Sequence, residues 1–376
     1  MMTDPVLEVK RLSVDYASAS GAVHAVDDVS FTLRRGQIFG LAGESGSGKS
    51  TLAYAIARLL RPPAVVTQGE VWFYPRPGTE SQNNESLLAP INVLHLTPAG
   101  LRAFRWRRLS IVFQSAMNAL NPVLDISTQI TDVLRAHEPG MSRKAQQERA
   151  LELLRLVGIA PDRLHSYPHE LSGGMRQRAI IAIALALNPD IIIMDEPTTA
   201  LDVVVQREIL AEIKGLRERL GFSVIFITHD LSLLLEMSDQ LAIMYAGRLV
   251  ETATQRQLNR QPRHPYTYGL LHSFPKLRGP RQSMTGIPGS PPDLRAAPSG
   301  CAFHPRCSFA FEACHTAIPG LLTPCPDEPT QQVACHLYNA SMQPPGLPSE
   351  FSPSNGTPSD PELQKEPTHE HSSPLY

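Results

Sequence analysis

Short apolar runs alternate with longer segments of helical period between residue 6 and about residue 245. The runs are rich in β-branched residues, which predicts strands, whereas apolar residues three or four positions apart predict helices between them. Residues 191–194 are apolar on both faces, as expected for a central parallel strand that helices cover. The pattern therefore predicts an α/β fold. The predicted strands are residues 6–14, 29–33, 38–42, 71–74, 111–114, 191–194, 224–228 and 241–245.

One helix is predicted clearly, over residues 142–157. Ser142 is a residue type that caps helix N-termini, and Gly158 stands where a C-terminal stop is expected. An apolar stripe lies between them and consists of Leu151, Leu154 and Val157. The segment therefore has the start, the buried face and the end of an amphipathic helix.

Three segments lack such periodicity. Residues 75–90 are polar and contain Gly and Pro, which predicts a surface loop inserted after a strand. Residues 261–300 carry many Pro and Gly residues, which predicts an extended arm. Residues 341–376 contain eight Pro and almost no large apolar residue, so they predict a disordered tail that cannot bury enough surface to fold.

Charge and hydropathy exclude two broad classes. The net charge of −2, from 34 basic and 36 acidic side chains, argues against a chain-wide surface for nucleic acid or anionic lipid. No apolar run approaches the ~18 residues that span a bilayer, and the N-terminus has no signal-peptide pattern. We therefore expect a cytoplasmic chain, in which any membrane role requires partner subunits.

Residues 102–108 form a local basic stretch in which four Arg accompany Phe104 and Trp106. Stacking and phosphate contact by such residues can bind nucleic acid. Their position just before the predicted strand 111–114, in a nearly neutral chain, instead favours a solvated helix face or a subunit contact. No nucleic-acid partner is expected.

Residues 43–50 read GESGSGKS and match the template G-x-x-x-x-G-K-[ST] at every fixed position. They follow the predicted strand 38–42 and open a predicted helix near Lys49. Glycines let the backbone turn so that N–H groups point at phosphate oxygens, and the helix adds its positive N-terminal end. Lys49 supplies a cation for the β- and γ-phosphates, and the Ser50 hydroxyl can ligate Mg²⁺. The segment therefore predicts a nucleoside-triphosphate site.

The predicted strand 191–194 leads into two carboxylates. Asp195 lies at its carboxyl end, where ligands bind in open α/β sheets, and can hold the Mg²⁺ shell. Glu196 points the other way and can polarise a water molecule as a general base.

Residues 171–178 read LSGGMRQR and open an apolar helix. Ser172, Gly173 and Gly174 can form a second anion site at the helix N-terminus, although a plain helix cap is the alternative. One nucleotide does not need two such sites in one chain. Two copies packed head to tail could place each second site over the other copy's phosphate loop.

In chain order, these segments resemble the motifs of the ATP-binding subunits of ABC transporters. GESGSGKS resembles the Walker A loop, LSGGMRQR the signature, and IIIMDEP at residues 191–197 the Walker B strand. The resemblance covers residues 5–260. It implies a P-loop NTPase of the ABC type with a RecA-like core, an antiparallel β subdomain and a helical subdomain at about residues 115–187.

The resemblance also implies roles for single residues. Tyr16 resembles the aromatic residue that stacks on adenine, and Gln114 resembles the Q-loop glutamine that contacts Mg²⁺ and the membrane subunits. His229 resembles the switch histidine that senses the γ-phosphate, and residues 200–202 resemble the D-loop that communicates across the dimer. The implied catalytic residues are Lys49, Gln114, Glu196 and His229. The implied nucleotide-binding residues are Tyr16, Gly43, Glu44, Ser45, Gly46, Ser47, Gly48, Lys49, Ser50, Thr51, Gln114, Ser172, Gly173, Gly174, Asp195, Asp202 and His229, of which Ser50, Gln114 and Asp195 serve Mg²⁺.

The mechanism implied by this resemblance is ATP hydrolysis between two facing subunits. ATP closes the dimer, Glu196 orients water for in-line attack, and Lys49 and His229 stabilise the developing charge. Closure and opening would drive alternating access in membrane subunits docked near Gln114.

The C-terminal part indicates one branch of this family. Residues 262–271 read PRHPYTYGLL and resemble the HPYT-x-x-LL segment of the oligopeptide, dipeptide and nickel branch, and residues 287–292 and 300–307 continue the resemblance. The branch implies import of di- or oligopeptides, with nickel or another small solute as the alternative cargo. The implied partners are two transmembrane permease subunits, a second ABC ATPase subunit and, indirectly, an extracytoplasmic substrate-binding protein. The implied location is the cytoplasmic face of the cell membrane.

All five cysteines lie within residues 301–335. Clustered thiols in a chain that is not exported favour metal or redox chemistry over disulfides. The resemblance implies a [4Fe–4S] cluster held in a small C-terminal extension, residues 261–340, by Cys301, Cys307, Cys314 and Cys335. Tetrahedral zinc and free reduced thiols remain alternatives, and Cys325 could replace Cys335 as the fourth ligand.

Two other functions compete with transport. An ABC ATPase acting on nucleic acid would carry a long coiled coil between Lys49 and Ser172, where no sustained heptads occur. A regulatory module without turnover is disfavoured because Glu196 and His229 are both present.

Overall fold

The computed structural model describes residues 4–18, 21–76, 89–114, 119–199, 201–273, 286–342 and 344–351. Its strands are β1 (Pro5–Tyr16), β2 (Val23–Arg34), β3 (Ile38–Ala42), β4 (Ala64–Phe73), β5 (Ile91–Asn92), β6 (Leu109–Val112), β7 (Ile191–Asp195), β8 (Ser223–Ile227), β9 (Gln240–Tyr245), β10 (Arg248–Thr254) and β11 (Gln332–Val333). Its α-helices are α1 (Lys49–Ile56), α2 (Pro98–Phe104), α3 (Ile126–His137), α4 (Arg143–Leu156), α5 (Gly173–Ala184), α6 (Val203–Leu220), α7 (Leu231–Met237), α8 (Gln255–Arg260), α9 (Pro265–His272) and α10 (Glu312–Thr316). Each predicted strand has a counterpart among them, with ends that differ by up to seven residues.

In the described part of the chain, the larger sheet has seven strands in the order β11-β10-β9-β3-β8-β7-β6. Strands β9, β3, β8, β7 and β6 pair in parallel, and β10 and β11 add an antiparallel edge. Every residue of β3, β7 and β8 is buried, which explains their continuous apolar runs. The predicted α/β class is confirmed.

The smaller sheet is antiparallel, with the order β2-β1-β4-β5. Its apolar face packs into one cluster with α1 and the larger sheet, where Leu12 and Phe73 join Leu52 and Ile193. Helix α1 therefore lies in a core shared by both sheets, and the segment between β3 and α1 is held at that junction.

Helices α3, α4 and α5 pack on the other side of the larger sheet through Ile130, Leu134, Leu153, Leu154 and Ile180. The predicted helix over residues 142–157 is confirmed as α4 with its cap. Ser142 Oγ accepts the Ala145 N–H at 3.2 Å, and Gly158 takes a left-handed φ of +65°.

The structure corrects the prediction of an extended arm over residues 261–300, because α9 lies within it. The buried His264 caps this helix, its Nδ1 accepting the Tyr266 N–H at 3.0 Å, and Pro265 occupies the first helical position. Proline content alone misled the prediction, since a proline at that position favours a helix. Residues 274–285 of the predicted arm lie outside the described part of the chain.

The predicted start of a disordered tail at residue 341 is also too early. Phe351 is fully buried, and its ring contacts the rings of Tyr268 and Phe309 at centroid distances of 5.5 and 5.2 Å. Residue 343 and the rest of the predicted tail, residues 352–376, lie outside the described residues, as do residues 77–88 of the predicted loop 75–90.

The C-terminal extension is joined to the larger sheet through Glu251 on β10. Its fully buried carboxylate accepts the N–H groups of Arg263 and His264 at 2.8 and 2.9 Å and the side-chain amide of Gln331 at 3.0 Å. Burial raises the pKa of Glu251, and these donors partly offset that effect. One carboxylate thus connects the segment before α9 with the segment before β11.

The basic stretch 102–108 makes contacts within the protein. Arg105 donates to the Ala57 carbonyl, Arg107 pairs with Glu138 at 3.0 Å, and Arg108 pairs with Asp190 at 3.2 Å. Arg105 and Arg108 are partly buried, whereas Arg102 and Arg107 are exposed.

Candidate functional site

The phosphate loop, residues 43–50, connects β3 to α1. Gly48 has a φ of +99°, and a Cβ there would lie 2.1 Å from the Ala25 carbonyl oxygen of β2. A Cβ on Gly43, at a φ of +148°, would lie 2.2 Å from the Met244 carbonyl oxygen of β9. Both sheets therefore press on the loop at positions that only glycine can occupy. Ser45 and Gly46 form its exposed tip.

Lys49 is buried and folds back over the loop. Its Nζ donates to the carbonyl oxygens of Gly43 and Glu44, both at 2.8 Å, and to Ser47 Oγ at 3.2 Å. Burial lowers the pKa of Lys49, and the neighbouring carboxylates, Glu196 first, partly offset that effect. The ammonium group is thus held where it can exchange loop carbonyls for phosphate oxygens.

Asp195, at the end of β7, faces Ser50. The Ser50 Oγ donates to Asp195 Oδ1 at 3.1 Å, and the buried Oδ2 has no hydrogen-bond partner among the described residues. Burial raises the pKa of Asp195, and the hydroxyl groups of Ser50 and Tyr54 partly offset that effect. A hydroxyl beside an unsatisfied carboxylate oxygen fits the hard oxygen ligands that Mg²⁺ requires.

Glu196 is the centre of a polar cluster. Its Oε2 accepts hydrogen bonds from Gln114 Nε2 and Thr199 Oγ1, both at 3.0 Å, and its Oε1 lies 3.2 Å from His229 Nδ1. Gln114, Glu196 and His229 follow β6, β7 and β8, which are neighbours in the sheet, so their carboxyl ends bring the three side chains together. Glu196 has a φ of +46°, a strained conformation of the kind found at functional sites.

Tyr16, the last residue of β1, contacts α1. Its hydroxyl and Thr51 Oγ1 share a hydrogen bond of 3.2 Å. The predicted adenine-stacking residue is therefore held beside Thr51, the third residue of α1.

The signature residues lie at the exposed start of α5. Ser172 caps this helix by accepting the Met175 N–H at 3.2 Å, and a Cβ on Gly174 would lie 2.9 Å from Val205 Cγ1 of α6. Asp202 caps α6, with Oδ1 accepting two N–H groups at 3.0 Å. The structure thus places Ser172, Gly173, Gly174 and Asp202 together on two adjacent helix starts. Residue 200 of the predicted D-loop lies outside the described residues.

Sequence reasoning missed several residues at this site. Thr199 bonds Glu196, and Tyr54 lies beside Asp195, where burial first and the Asp195 charge second raise the pKa of Tyr54 to about 12. Tyr266 and Arg306 of the C-terminal extension reach the phosphate loop. The motif spacing carries no signal for these contacts, except that Thr199 lies two residues after the DEP sequence.

Four of the five cysteines share one neighbourhood. Burial raises the pKa of the Cys335 thiol, and the nearby thiols of Cys301, Cys307 and Cys314 raise it further. Burial also raises the pKa of Cys307 to about 11. Within the described ranges, no three metal-binding side chains approach closely enough to hold an ion. The predicted metal site is therefore not shown, although the four thiols offer the soft donors that iron–sulfur clusters and zinc require.

A glycine-constrained phosphate loop, an Mg²⁺-type oxygen pair and a glutamate among polarising side chains define an ATPase of the ABC type. The chain matches the ABC transporter family over residues 26–199 and the C-terminal region of oligopeptide/dipeptide transporters over residues 250–314. It belongs to the ATP-binding proteins of ABC transporters, in the oligopeptide/dipeptide branch.

Relatives and solved structures agree with this assignment. The chain is 43% identical to the oligopeptide transport ATP-binding protein OppD of Bacillus subtilis, covering 82% of each chain. It is also 43% identical to the dipeptide transport ATP-binding protein DppD of the same organism, over 84% of this chain and 91% of that protein. A dimeric ATP-binding cassette, MJ0796 with ADP and phosphate bound, has 29% identity and a TM-score of 0.56, covering 66% of this chain and 99% of the cassette.

These findings confirm the predicted family and ABC ATPase fold, and they do not favour the competing functions. In the described part of the chain, no helix combines the length and apolar character needed to cross a bilayer.

Proposed function

We propose that the chain is the energy-coupling ATPase subunit of an importer of di- and oligopeptides. The match of residues 250–314 to the oligopeptide/dipeptide transporter C-terminal region carries this proposal, and relatives named for oligopeptide and dipeptide transport support it. Nickel or another small solute is the alternative cargo, and no contact among the described residues favours it.

In the proposed mechanism, Glu196 acts as the general base that orients and deprotonates the attacking water. Gln114 and His229 already bond its two carboxylate oxygens, so they can hold the carboxylate toward the γ-phosphate and report on its departure. Lys49 stabilises the charge that develops on the transferred phosphoryl group. When bound, Mg²⁺ would neutralise phosphate charge beside Ser50 and Asp195, with Gln114 nearby.

The proposed nucleotide site is completed by a second ABC ATPase subunit. The exposed Ser172 leaves a helix N-terminus available for phosphate, and Val203 and Val204, each 68% exposed, stand next to Asp202. Exposed valines beside an anion-binding helix start suit an apolar contact with another subunit.

The proposed membrane partners are two transmembrane permease subunits, which place the chain at the cytoplasmic face of the membrane. A groove of about 440 Å³ lies beside the strand that leads to Gln114, and its apolar lining includes Trp106, Phe113, Leu120 and Ile180. A helix from a permease would bury this lining and contact the Q-loop. A substrate-binding protein outside the membrane would contribute only indirectly.

We propose the domain bounds predicted above for the nucleotide-binding domain, residues 5–260, and for its helical subdomain, about 115–187. Helices α3, α4 and α5 fall within the latter. The extension begins at residue 261, and the buried Phe351 supports moving its end from 340 to at least 351.

Peptide uptake tests the proposed cargo. The full chain, purified with its co-purifying membrane proteins and reconstituted with the substrate-binding protein, is expected to import labelled dipeptides and longer peptides in an ATP-dependent manner. Nickel uptake under the same conditions, with no peptide uptake, would contradict the proposal. Mass spectrometry of the purified complex identifies the partner ATPase.

We further propose that Cys301, Cys307, Cys314 and Cys335 hold a [4Fe–4S] cluster, with zinc as the alternative. Their shared neighbourhood and thiol chemistry support this ligand set. The residues around Cys335, VACHL at 333–337, resemble the context of the family's last cysteine, which favours Cys335 over Cys325 as the fourth ligand. The cluster would stabilise a proline-rich extension whose own buried apolar cluster, among the described residues, consists of Val333, Cys335, Leu337 and Phe351.

Anaerobic purification tests the cluster. The wild-type chain is expected to show visible absorption and about four irons per chain. Cys335→Ser is expected to lose both, whereas the matched variant Cys325→Ser keeps them. About one zinc in a colourless protein would support the alternative, and a protein without either metal would contradict both.

A further inference from the structure

The C-terminal extension forms an ion pair with Glu44, the first variable residue of the phosphate loop. Arg306 donates to both oxygens of its carboxylate, from Nη1 to Oε2 at 2.7 Å and from Nη2 to Oε1 at 3.0 Å. A bidentate arginine–carboxylate pair fixes the relative orientation of the two groups as well as their distance. The two residues are 262 positions apart in the chain.

Arg306 is itself held rigidly. Its side chain is only 6% exposed, its Nε donates to the Pro288 carbonyl at 2.8 Å, and its Nη1 also lies 3.3 Å from the Tyr245 hydroxyl. The guanidinium group stands over the rings of Tyr245 and Phe303, at 5.8 and 6.0 Å from their centroids. The bonds to Glu44 raise the pKa of Arg306 further above its usual range, so the charge is permanent.

The backbone of Glu44 is fixed on both sides. Its N–H donates to the hydroxyl of Tyr266, a fully buried residue of α9, at 2.9 Å. Its carbonyl oxygen accepts from Lys49 Nζ, the cation of the phosphate site, at 2.8 Å. The extension therefore holds the side chain and the N–H of the residue whose carbonyl positions Lys49.

Charge gives the contact a second role. The Glu44 carbonyl oxygen lies 2.8 Å from Lys49 Nζ, so the carboxylate of the same residue also lies close to where a triphosphate binds. An unpaired carboxylate there would repel the phosphates, and Arg306 cancels that charge.

We propose that Arg306 is a positioning residue for ATP: through Glu44 it holds the phosphate loop in its binding conformation and neutralises a carboxylate beside the phosphates. This inference rests on the ATPase assignment alone. It does not depend on the peptide cargo or on a metal at the cysteines.

The test compares Arg306→Gln with the wild-type full chain, measuring the Kd for MgATP by calorimetry and steady-state ATP hydrolysis. The Kd and KM are expected to rise about tenfold, the size of losing one charge-assisted hydrogen bond. The kcat is expected to fall by a smaller factor than the KM rises, because Glu196, Gln114 and His229 are untouched and only the position of Lys49 changes. Arg295→Gln is the matched control, since Arg295 is an exposed arginine of the same extension that pairs with Asp293.

Two rescue variants separate positioning from a merely structural role. Arg306→Lys keeps the charge but not the bidentate geometry, so its KM is expected to lie between those of wild type and Arg306→Gln. Adding Glu44→Gln to Arg306→Gln removes the unpaired carboxylate and is expected to lower the KM again. A double variant no better than Arg306→Gln would overturn the charge role.

A folded Arg306→Gln protein, judged by circular dichroism, that keeps the wild-type Kd and KM would overturn the positioning role. If this variant does not fold, Arg306→Lys decides instead. A wild-type KM in that variant shows that the bidentate geometry is not needed and overturns the inference.

Discussion

The Glu196→Gln variant is expected to bind MgATP with an affinity within about twofold of wild type, while its kcat falls by about 100-fold or more. A glutamine amide has nearly the same shape and can still accept from Gln114 and Thr199 through its carbonyl oxygen. It cannot accept a proton from water, so the attacking nucleophile is not activated. Because bound ATP is not hydrolysed, a closed dimer should accumulate, and size-exclusion chromatography with and without ATP can measure it.

Glu148→Gln serves as the matched control, because Glu148 is an exposed glutamate of α4 whose side chain is 3.9 Å from Lys144. Its turnover should equal that of wild type. Wild-type turnover in Glu196→Gln would rule out the assignment of Glu196 as the base, and loss of ATP binding would show that Glu196 has a ground-state role.

The second large effect is expected for Gly48→Ala. Its Cβ would lie 2.1 Å from the Ala25 carbonyl oxygen, and its φ of +99° disfavours any side chain. Strain and overpacking each contribute about 1–3 kcal/mol, so the variant should lose about 3 kcal/mol of unfolding free energy. Because the loop must move away from β2, MgATP binding should also be lost. Denaturant unfolding and calorimetry measure the two effects.

Gly36→Ala separates the clash from the backbone strain. Gly36 also has a left-handed φ, +66°, but a Cβ there meets nothing within 4 Å. It should lose only about 1–2 kcal/mol and keep MgATP binding. Equal stability losses in the two variants, or wild-type MgATP affinity in Gly48→Ala, would contradict the steric account of the loop.

The sequence alone determined the features that depend on neighbours along the chain. The α/β pattern, the capped helix α4 and the phosphate loop between β3 and α1 all follow from local spacing, because backbone periodicity and loop geometry act over a few residues. Motif order was enough to name the family. Proline content misjudged α9, since a proline stops a helix at most positions but starts one at Pro265.

Tertiary structure alone decided which distant groups meet. The order β6-β7-β8 brings Gln114 and His229 to Glu196, and no spacing in the chain specifies that order. The pairing of Arg306 with Glu44 likewise arises only when the extension folds back over the loop. Such contacts depend on how sheets and helices pack to bury their apolar faces, a global property that short stretches of sequence do not carry.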